Sequence, residues 1–236
     1  MYEKRFDGRD WLELREIEAK TGVIKNADGS AFFRMGNTSA YCAVYGPRTL
    51  LPKFLQNPKK GLLRTYYWMM PFSGIGNRVK PAPSRRAIEL SMVIEKALEP
   101  VINLEEFPNA VIDVFIALPQ TDAGSRCVAI NAASLALADA GIPMKDLVVA
   151  LAVGRVDDKL VVDLTYDEEA YKDGPVADIP FAIIPSKKQI TLLQGDGEIT
   201  KEMFEKLLEI VEKPAKQIYE IQIKALKAKF LKKYKE

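Results

Sequence analysis

The sequence predicts an α+β fold. Three observations carry the prediction. Short β-compatible runs fill the chain from Leu14 to Phe72, and two helical segments then flank a single continuous apolar run. Paired apolar strands return before a long C-terminal helix.

Taken in order, Leu14–Lys20 and Ala31–Met35 read as strands separated by the turn Asn26-Ala27-Asp28-Gly29-Ser30. Ser39–Tyr45 is a third strand, expected to stop at Gly46-Pro47. Asn57-Pro58-Lys59-Lys60-Gly61 forms a basic loop, Leu63–Phe72 an aromatic strand, and Ser73–Pro83 a mobile connector. Ser84 is a good N-cap for a helix that runs to Pro100, with Ile88, Met92, Ala97 and Leu98 as its expected buried stripe. Val111–Leu118, bounded by Pro108 and Pro119, reads as a strand covered on both faces. A second helix runs from about Ser125 to Ala140 and ends at Gly141, and its alanine-rich surface allows close approach to a sheet. Leu147–Val156 and Leu160–Leu164 make a hairpin around Asp157-Asp158, and Ile179–Ile184 pairs with Gln189–Leu193. The last helix starts at Thr200 and bends at Pro214.

Composition narrows the chemistry. Charge is abundant but balanced at a net of +2, which excludes nucleic-acid binding driven by global charge, so any RNA contact must come from local clusters. There is no histidine, which removes Ser-His-Asp and Cys-His nucleophile systems, histidine bases and most zinc sites. What remains is carboxylates, arginines, lysines and backbone, a set suited to phosphoryl chemistry. No apolar run is long enough to span a bilayer and the N-terminus opens no signal peptide. Cys42 and Cys127 each lie in an apolar stretch, as expected for reduced core thiols of a cytoplasmic protein.

Two motifs place arginine in the first turn of a helix, where the macrodipole disfavours a cation: Ser84-Arg85-Arg86 and Gly124-Ser125-Arg126. Both are therefore aimed at negative charge. The Gly-Ser turn can present backbone N–H groups to an anion while Arg126 adds a fork of donors. The alternatives are an ordinary capped helix with a solvated arginine, and Glu89 pairing with one of the two neighbours. Arg64 sits among Tyr66, Tyr67 and Trp68, a mixture suited to single-stranded RNA. The competing arrangement buries the aromatic face and leaves Arg64 on the other. Acidic residues gather between Asp163 and Asp178, and Asp178 stands directly before an apolar strand, well placed to hold a divalent metal or protonate a leaving oxygen. The lysine-rich C-terminal segment, with Lys224, Lys227, Lys229, Lys232, Lys233 and Lys235, reads as a solvated helix end.

Seven motifs resemble the RNase PH family in order and spacing: Asp7-Gly8-Arg9, Ala27-Asp28-Gly29-Ser30, Val44-Tyr45-Gly46-Pro47, Met70-Pro71-Phe72-Ser73, Ser84-Arg85-Arg86, Ala123-Gly124-Ser125-Arg126 and the run from Leu135 to Pro143. Within the family the chain most resembles the catalytic RNase PH-like subunit of archaeal exosomes. The resemblance implies a ribosomal protein S5 domain 2-like fold over residues 1–236, with a core at about 6–145 and a C-terminal subdomain at about 146–236. It implies a hexameric ring alternating with a related non-catalytic subunit, under a cap of S1 or KH-domain proteins. RNA is then shortened from its 3′ end by inorganic phosphate as co-substrate, with release of nucleoside diphosphates. By motif, Gly124, Ser125 and Arg126 would hold phosphate, Arg85 and Arg86 would grip RNA near the scissile bond, and Arg64 would hold it upstream.

One site departs from the family. Active members carry two aspartates with Mg²⁺ or Mn²⁺, the second in an Ala-Asp-Met-Pro-like motif matched here by Ala177-Asp178-Ile179-Pro180. The family spacing puts the first at Lys172, which cannot hold a metal. Glu169 takes its place when counted from the preceding strand, and Asp173 is the other candidate. Glu169 would hold metal and act with Asp178, but its extra methylene displaces the charge by about 1 Å, enough to cost roughly 10²-fold. Two functions therefore stand: a phosphate-dependent 3′→5′ exoribonuclease active when assembled, or an RNA-binding ring scaffold with little chemistry.

Overall fold

The structure, a computed structural model, describes residues 2–75, 78–80 and 84–233. The connector expected at Ser73–Pro83 lies partly outside them, at 76–77 and 81–83, as does Lys235. Strands β1 (Ile17–Thr21), β2 (Gly29–Met35) and β3 (Thr38–Thr49) form an antiparallel meander. Strand β4 (Leu62–Met69) precedes helix α1 (Arg85–Leu98) and strand β5 (Ala110–Gln120). β4 runs parallel to β5, and the sheet order is β1-β2-β3-β5-β4.

Helix α2 (Ser125–Asp139) leads into the second sheet, built from β6 (Val149–Val156) and β7 (Lys159–Val162). A one-turn helix α3 (Tyr166–Glu169) then precedes β8 (Val176–Ile184), β9 (Gln189–Leu193) and the short β10 (Asp196–Gly197). The order is β10-β8-β6-β7, with β9 also on β8. Helices α4 (Lys201–Ile210) and α5 (Glu212–Lys233) close the chain, and Pro214 falls in the first turn of α5, where a missing N–H is tolerated.

One hydrophobic core joins the sheets. It takes Phe33, Val44 and Ile116 from the first, Val149, Leu151 and Phe181 from the second, and Ile218 from α5. Helix α2 lies at its centre and is buried at every position from Ser125 to Leu137 except Arg126. Its small alanines permit this; a Cβ on Gly29 of β2 would stand 2.5 Å from the Ala136 carbonyl oxygen, so only glycine lets the helix cross there. Both cysteines are buried and free, and burial pushes their thiols upward.

Four expectations change. β3 continues through Gly46-Pro47 to Thr49, with a register shift between Tyr45 and Arg48. In α1 the buried stripe is Leu90, Ile94, Ala97 and Leu98, whereas Ile88 and Met92 are exposed. A stripe through Ala87, Leu90 and Ile94 follows the helical period, and positions 88 and 92 lie one residue off it. β5 is covered on its helix side, while Asp113, Phe115 and Ala117 are only half-buried on the other. On that outer face Arg64, Tyr66 and Trp68 stand together and Tyr67 alone enters the core, so the aromatic residues and Arg64 are not segregated. Tyr66 stacks on Phe115 with ring centroids 4.8 Å apart.

Candidate active site

The N-terminus of α2 has the geometry that an anion seat needs. Ala123 and Gly124 both take left-handed φ, at 56° and 60°. Among the described residues no side chain caps the helix, and the first of its amides to reach a protein acceptor is that of Cys127, on the Gly124 carbonyl at 3.0 Å. The amides ahead of it at Ser125 and Arg126 are thus open to a ligand at the positive end of a dipole. The loop beneath is held from several directions. Thr38 donates its hydroxyl to the Asp122 carbonyl at 2.9 Å and accepts from the Asp122 amide at 2.8 Å. The guanidinium of Arg15 donates to the same carbonyl and clamps Asp163 with Nε and Nη2 at 2.9 and 2.7 Å.

Buried charge also fixes α3. Its N-cap Thr165 forms a capping box with Glu168. Glu168 receives Arg5 Nε and Nη2 at 2.7 and 2.8 Å and the Tyr2 hydroxyl at 2.8 Å, and both side chains of the ion pair are fully buried. Tyr166 donates its amide to Asp122 at 3.0 Å, tying α3 to the α2 loop. Glu169, the next residue on this pinned turn, enters the cleft.

The cleft holds about 800 Å³ and brings together Arg86, Ser125, Arg126, Glu169, Asp178 and Gln194. Among the described residues, the starts of α1 and α2, α3, β8, the β9–β10 link, Met69 at the end of β4, and Gly74, Ile75 and Val79 meet there. Asp178 faces Asp196 across the β8–β10 ladder, and its Oδ1 is buried with no hydrogen-bond partner among the described residues. Burial lifts its carboxyl to about 6, opposed by Arg126 and reinforced by Asp196. Burial and the charge of Asp178 lift Glu169 to about 7, against the pull of Arg86, Arg126 and Arg15. Two carboxyl groups are thereby poised near neutral pH beside two guanidinium groups.

Most of the residues named from sequence converge on this cleft. Gly124, Ser125, Arg126, Arg86, Asp178 and Glu169 line it. Three do not. Arg85 is exposed and outside it, because adjacent residues on a helix diverge by about 100°. Arg64 is on the outer sheet face, its Nε donating to Asp113 at 2.7 Å. Asp173 is exposed and away from the cleft, which leaves Glu169 beside Asp178.

Sequence reasoning missed Arg5, Arg15, Gln194 and Asp196. Nothing local marks the two arginines, whose partners lie far along the chain. Gln194 and Asp196 carried a signal, the Gly-Asp-Gly turn after β9. Of the aromatic residues beside Arg64, Tyr67 takes the core-facing alternative, and its buried hydroxyl lies near Ser125, Arg86 and Arg126.

An open helix N-terminus, two arginines and a carboxyl pair on one cleft are the groups that phosphoryl transfer on an anionic substrate requires. Comparison with known proteins agrees. Residues 13–143 match the 3′ exoribonuclease family, domain 1 (RNase PH), and residues 146–213 match domain 2 of the same family. The chain belongs to this RNase PH 3′ exoribonuclease family, and its activity class is phosphorolytic 3′→5′ exoribonuclease.

It is 52% identical over 229 residues to the exosome complex component Rrp41 of Thermococcus gammatolerans, covering 97% of this chain and 90% of the relative. Rrp41 of Nitrosopumilus maritimus is 46% identical over 227 residues, covering 96% and 91%. Among solved structures, rice Rrp46 superposes with a TM-score of 0.82 at 25% identity over 94% of this chain and all of that one. The Archaeoglobus fulgidus exosome with RNA bound to the active site gives 0.76 at 22% identity over 92% of each chain, in keeping with a mixed α+β RNase PH-like fold.

Proposed function

We propose that this chain is the catalytic subunit of an exosome-type ring, using the cleft at α2 to cleave RNA with inorganic phosphate. The observation that carries the reading is the open α2 N-terminus with Arg126 beside it and Asp178 and Glu169 opposite. Inorganic phosphate sits on the Ser125 and Arg126 amides, aligned by the dipole and the Arg126 fork. Its oxygen attacks the phosphorus of the terminal RNA phosphodiester; the bond to the 3′ oxygen of the preceding nucleotide breaks, and a nucleoside diphosphate departs. Arg86 offsets charge on the scissile phosphate. A carboxyl group near neutral pKa supplies the proton that the leaving 3′ oxygen takes up, the role assigned to Asp178 and Glu169.

Mg²⁺ or Mn²⁺ fits the same corner. Asp178 offers an unpartnered buried oxygen, Glu169 a second carboxylate, and both are hard donors. Among the described residues no group of three metal-type side chains is gathered closely enough to hold an ion, so water and substrate oxygens would complete its shell. Bound there, the ion would neutralise charge on the transferring phosphoryl group.

The relatives named as exosome components support assembly with other exosome subunits, and in this reading the chain alternates with a related non-catalytic subunit in a ring capped by S1 or KH-domain proteins. The outer sheet face of Tyr41, Tyr66 and Trp68, exposed in the single chain, is a surface that assembly would cover. Among the described residues no helix is long and apolar enough to cross a membrane. The free buried thiols suit the reducing cytoplasm.

A second reading, a scaffold subunit silenced by the altered acidic loop, loses its main support because Glu169 lines the cleft beside Asp178. Incubation of the chain, alone and with its ring partner, with 3′-tailed RNA, Mg²⁺ and labelled phosphate tests the two. Labelled diphosphate supports the enzyme; a ring that binds RNA and yields none supports the scaffold.

A further inference from the structure

Arg126, in the first turn of α2, is the one unburied position between Ser125 and Leu137, and among the described residues it forms no ion pair at contact distance. Its Nη1 donates instead to the side-chain oxygen of Gln194 at 2.6 Å. Gln194 is itself fixed: its backbone amide donates to the carbonyl of Pro180 at 3.2 Å, on the strand that carries Asp178. The two residues are 68 positions apart and meet only because β9 returns along β8 to the mouth of α2.

The choice of an amide has consequences. A carboxylate at this position would pair with the guanidinium, cancel its charge and compete with an incoming anion. A neutral carbonyl oxygen occupies one of the five N–H donors and leaves the full charge and the remaining donors available. An apolar side chain would leave a long arginine free to rotate, and the ordering cost would fall on ligand binding. We propose that Gln194 is a positioning residue that holds the Arg126 guanidinium toward the anion seat of α2 without neutralising it. This rests on the reading of that seat as the phosphate site.

Two variants of the assembled enzyme separate this role from a structural one. Gln194→Met keeps the length and removes the acceptor; Gln194→Glu keeps the acceptor and adds charge. For Gln194→Met, the KM for inorganic phosphate rises about tenfold, the size of a hydrogen bond to a charged group, while kcat and the KM for RNA stay within about twofold of wild type. Gln194→Glu raises the phosphate KM further although its hydrogen bond survives, which a structural role does not predict. Thermal unfolding with and without inorganic phosphate gives a readout independent of turnover: phosphate stabilises the wild type, and both variants lose most of that shift.

Phosphate KM values within twofold of wild type in both variants overturn the proposal, as does a Gln194→Glu enzyme indistinguishable from wild type. A wild type that phosphate stabilises but that releases no diphosphate refutes the phosphorolytic reading while leaving the Gln194 role to the thermal shifts. A wild type that phosphate does not stabilise overturns both.

Discussion

Glu169→Gln should stabilise the metal-free protein while damaging catalysis, and the gain should depend on pH in a defined direction. In the folded chain the Glu169 carboxyl is lifted from 4.5 to about 7, chiefly by burial and then by Asp178. A pKa raised on folding means that the unfolded chain ionises first. Between about pH 4 and 7 the folded state holds the extra proton, so stability falls as pH rises through this window and levels off above it. The shift of roughly 2.5 pH units corresponds to about 3 kcal/mol. Burial is the larger cause and a buried amide retains part of that desolvation cost, so a gain of about 2 kcal/mol is expected at pH 8. For a chain of 236 residues that is roughly 4–8 °C in Tm. Thermal unfolding in a chelator at pH 4, 6 and 8 measures it: the advantage of the variant should be absent at pH 4 and full at pH 8. A variant less stable than wild type at pH 8, or a gain independent of pH, would refute the account of an uncompensated carboxyl pair.

Three further outcomes follow from the same geometry. Glu168→Ala leaves Arg5 buried without its partner and should lower stability by about 3–5 kcal/mol, read from urea unfolding at constant m. Gly124→Ala forces a side chain into φ +60°, with its Cβ 3.3 Å from Arg15 Nη2. It should cost about 1–2 kcal/mol of stability and raise the phosphate KM through distortion of the seat. Arg86→Ala should reduce kcat/KM for RNA at least tenfold, because the residue lines the cleft, whereas exposed Arg85→Ala should change turnover of a short RNA by less than threefold.

Much of this was legible in the sequence where the signal is local. The Gly-Ser-Arg turn read as a helix start with open donors because glycine, cap position and arginine are neighbours in the chain. The α2 helix read correctly from its alanines and terminal Gly141, and the hairpin at Asp157-Asp158 from its turn. Faces were harder. Ile88 and Met92 are apolar at helical spacing, yet they point away from the core, since the packing of α1 on the sheet and not hydrophobicity alone chooses the stripe. Arg64 showed a similar limit: its partner Asp113 is 49 residues away on a parallel neighbour. The acidic loop left Glu169 and Asp173 open because spacing cannot resolve a loop with insertions. What decides between them is the Arg5–Glu168 pair, formed across 163 residues, which fixes the turn that carries Glu169 into the cleft. The turn at Gly195-Asp196-Gly197 marks the neighbourhood of Gln194 locally, but not its role, which exists only once β9 has folded back on β8.

The central claim is that this cleft uses phosphate as nucleophile with Asp178 in the reacting site. The most direct measurement is release of labelled nucleoside diphosphate from 3′-tailed RNA by the assembled ring, in the presence of Mg²⁺ and labelled inorganic phosphate, for wild type and Asp178→Ala. The account predicts diphosphate that requires phosphate and disappears in the variant. Nucleoside monophosphate formed without phosphate, or diphosphate release undiminished in Asp178→Ala, would contradict it.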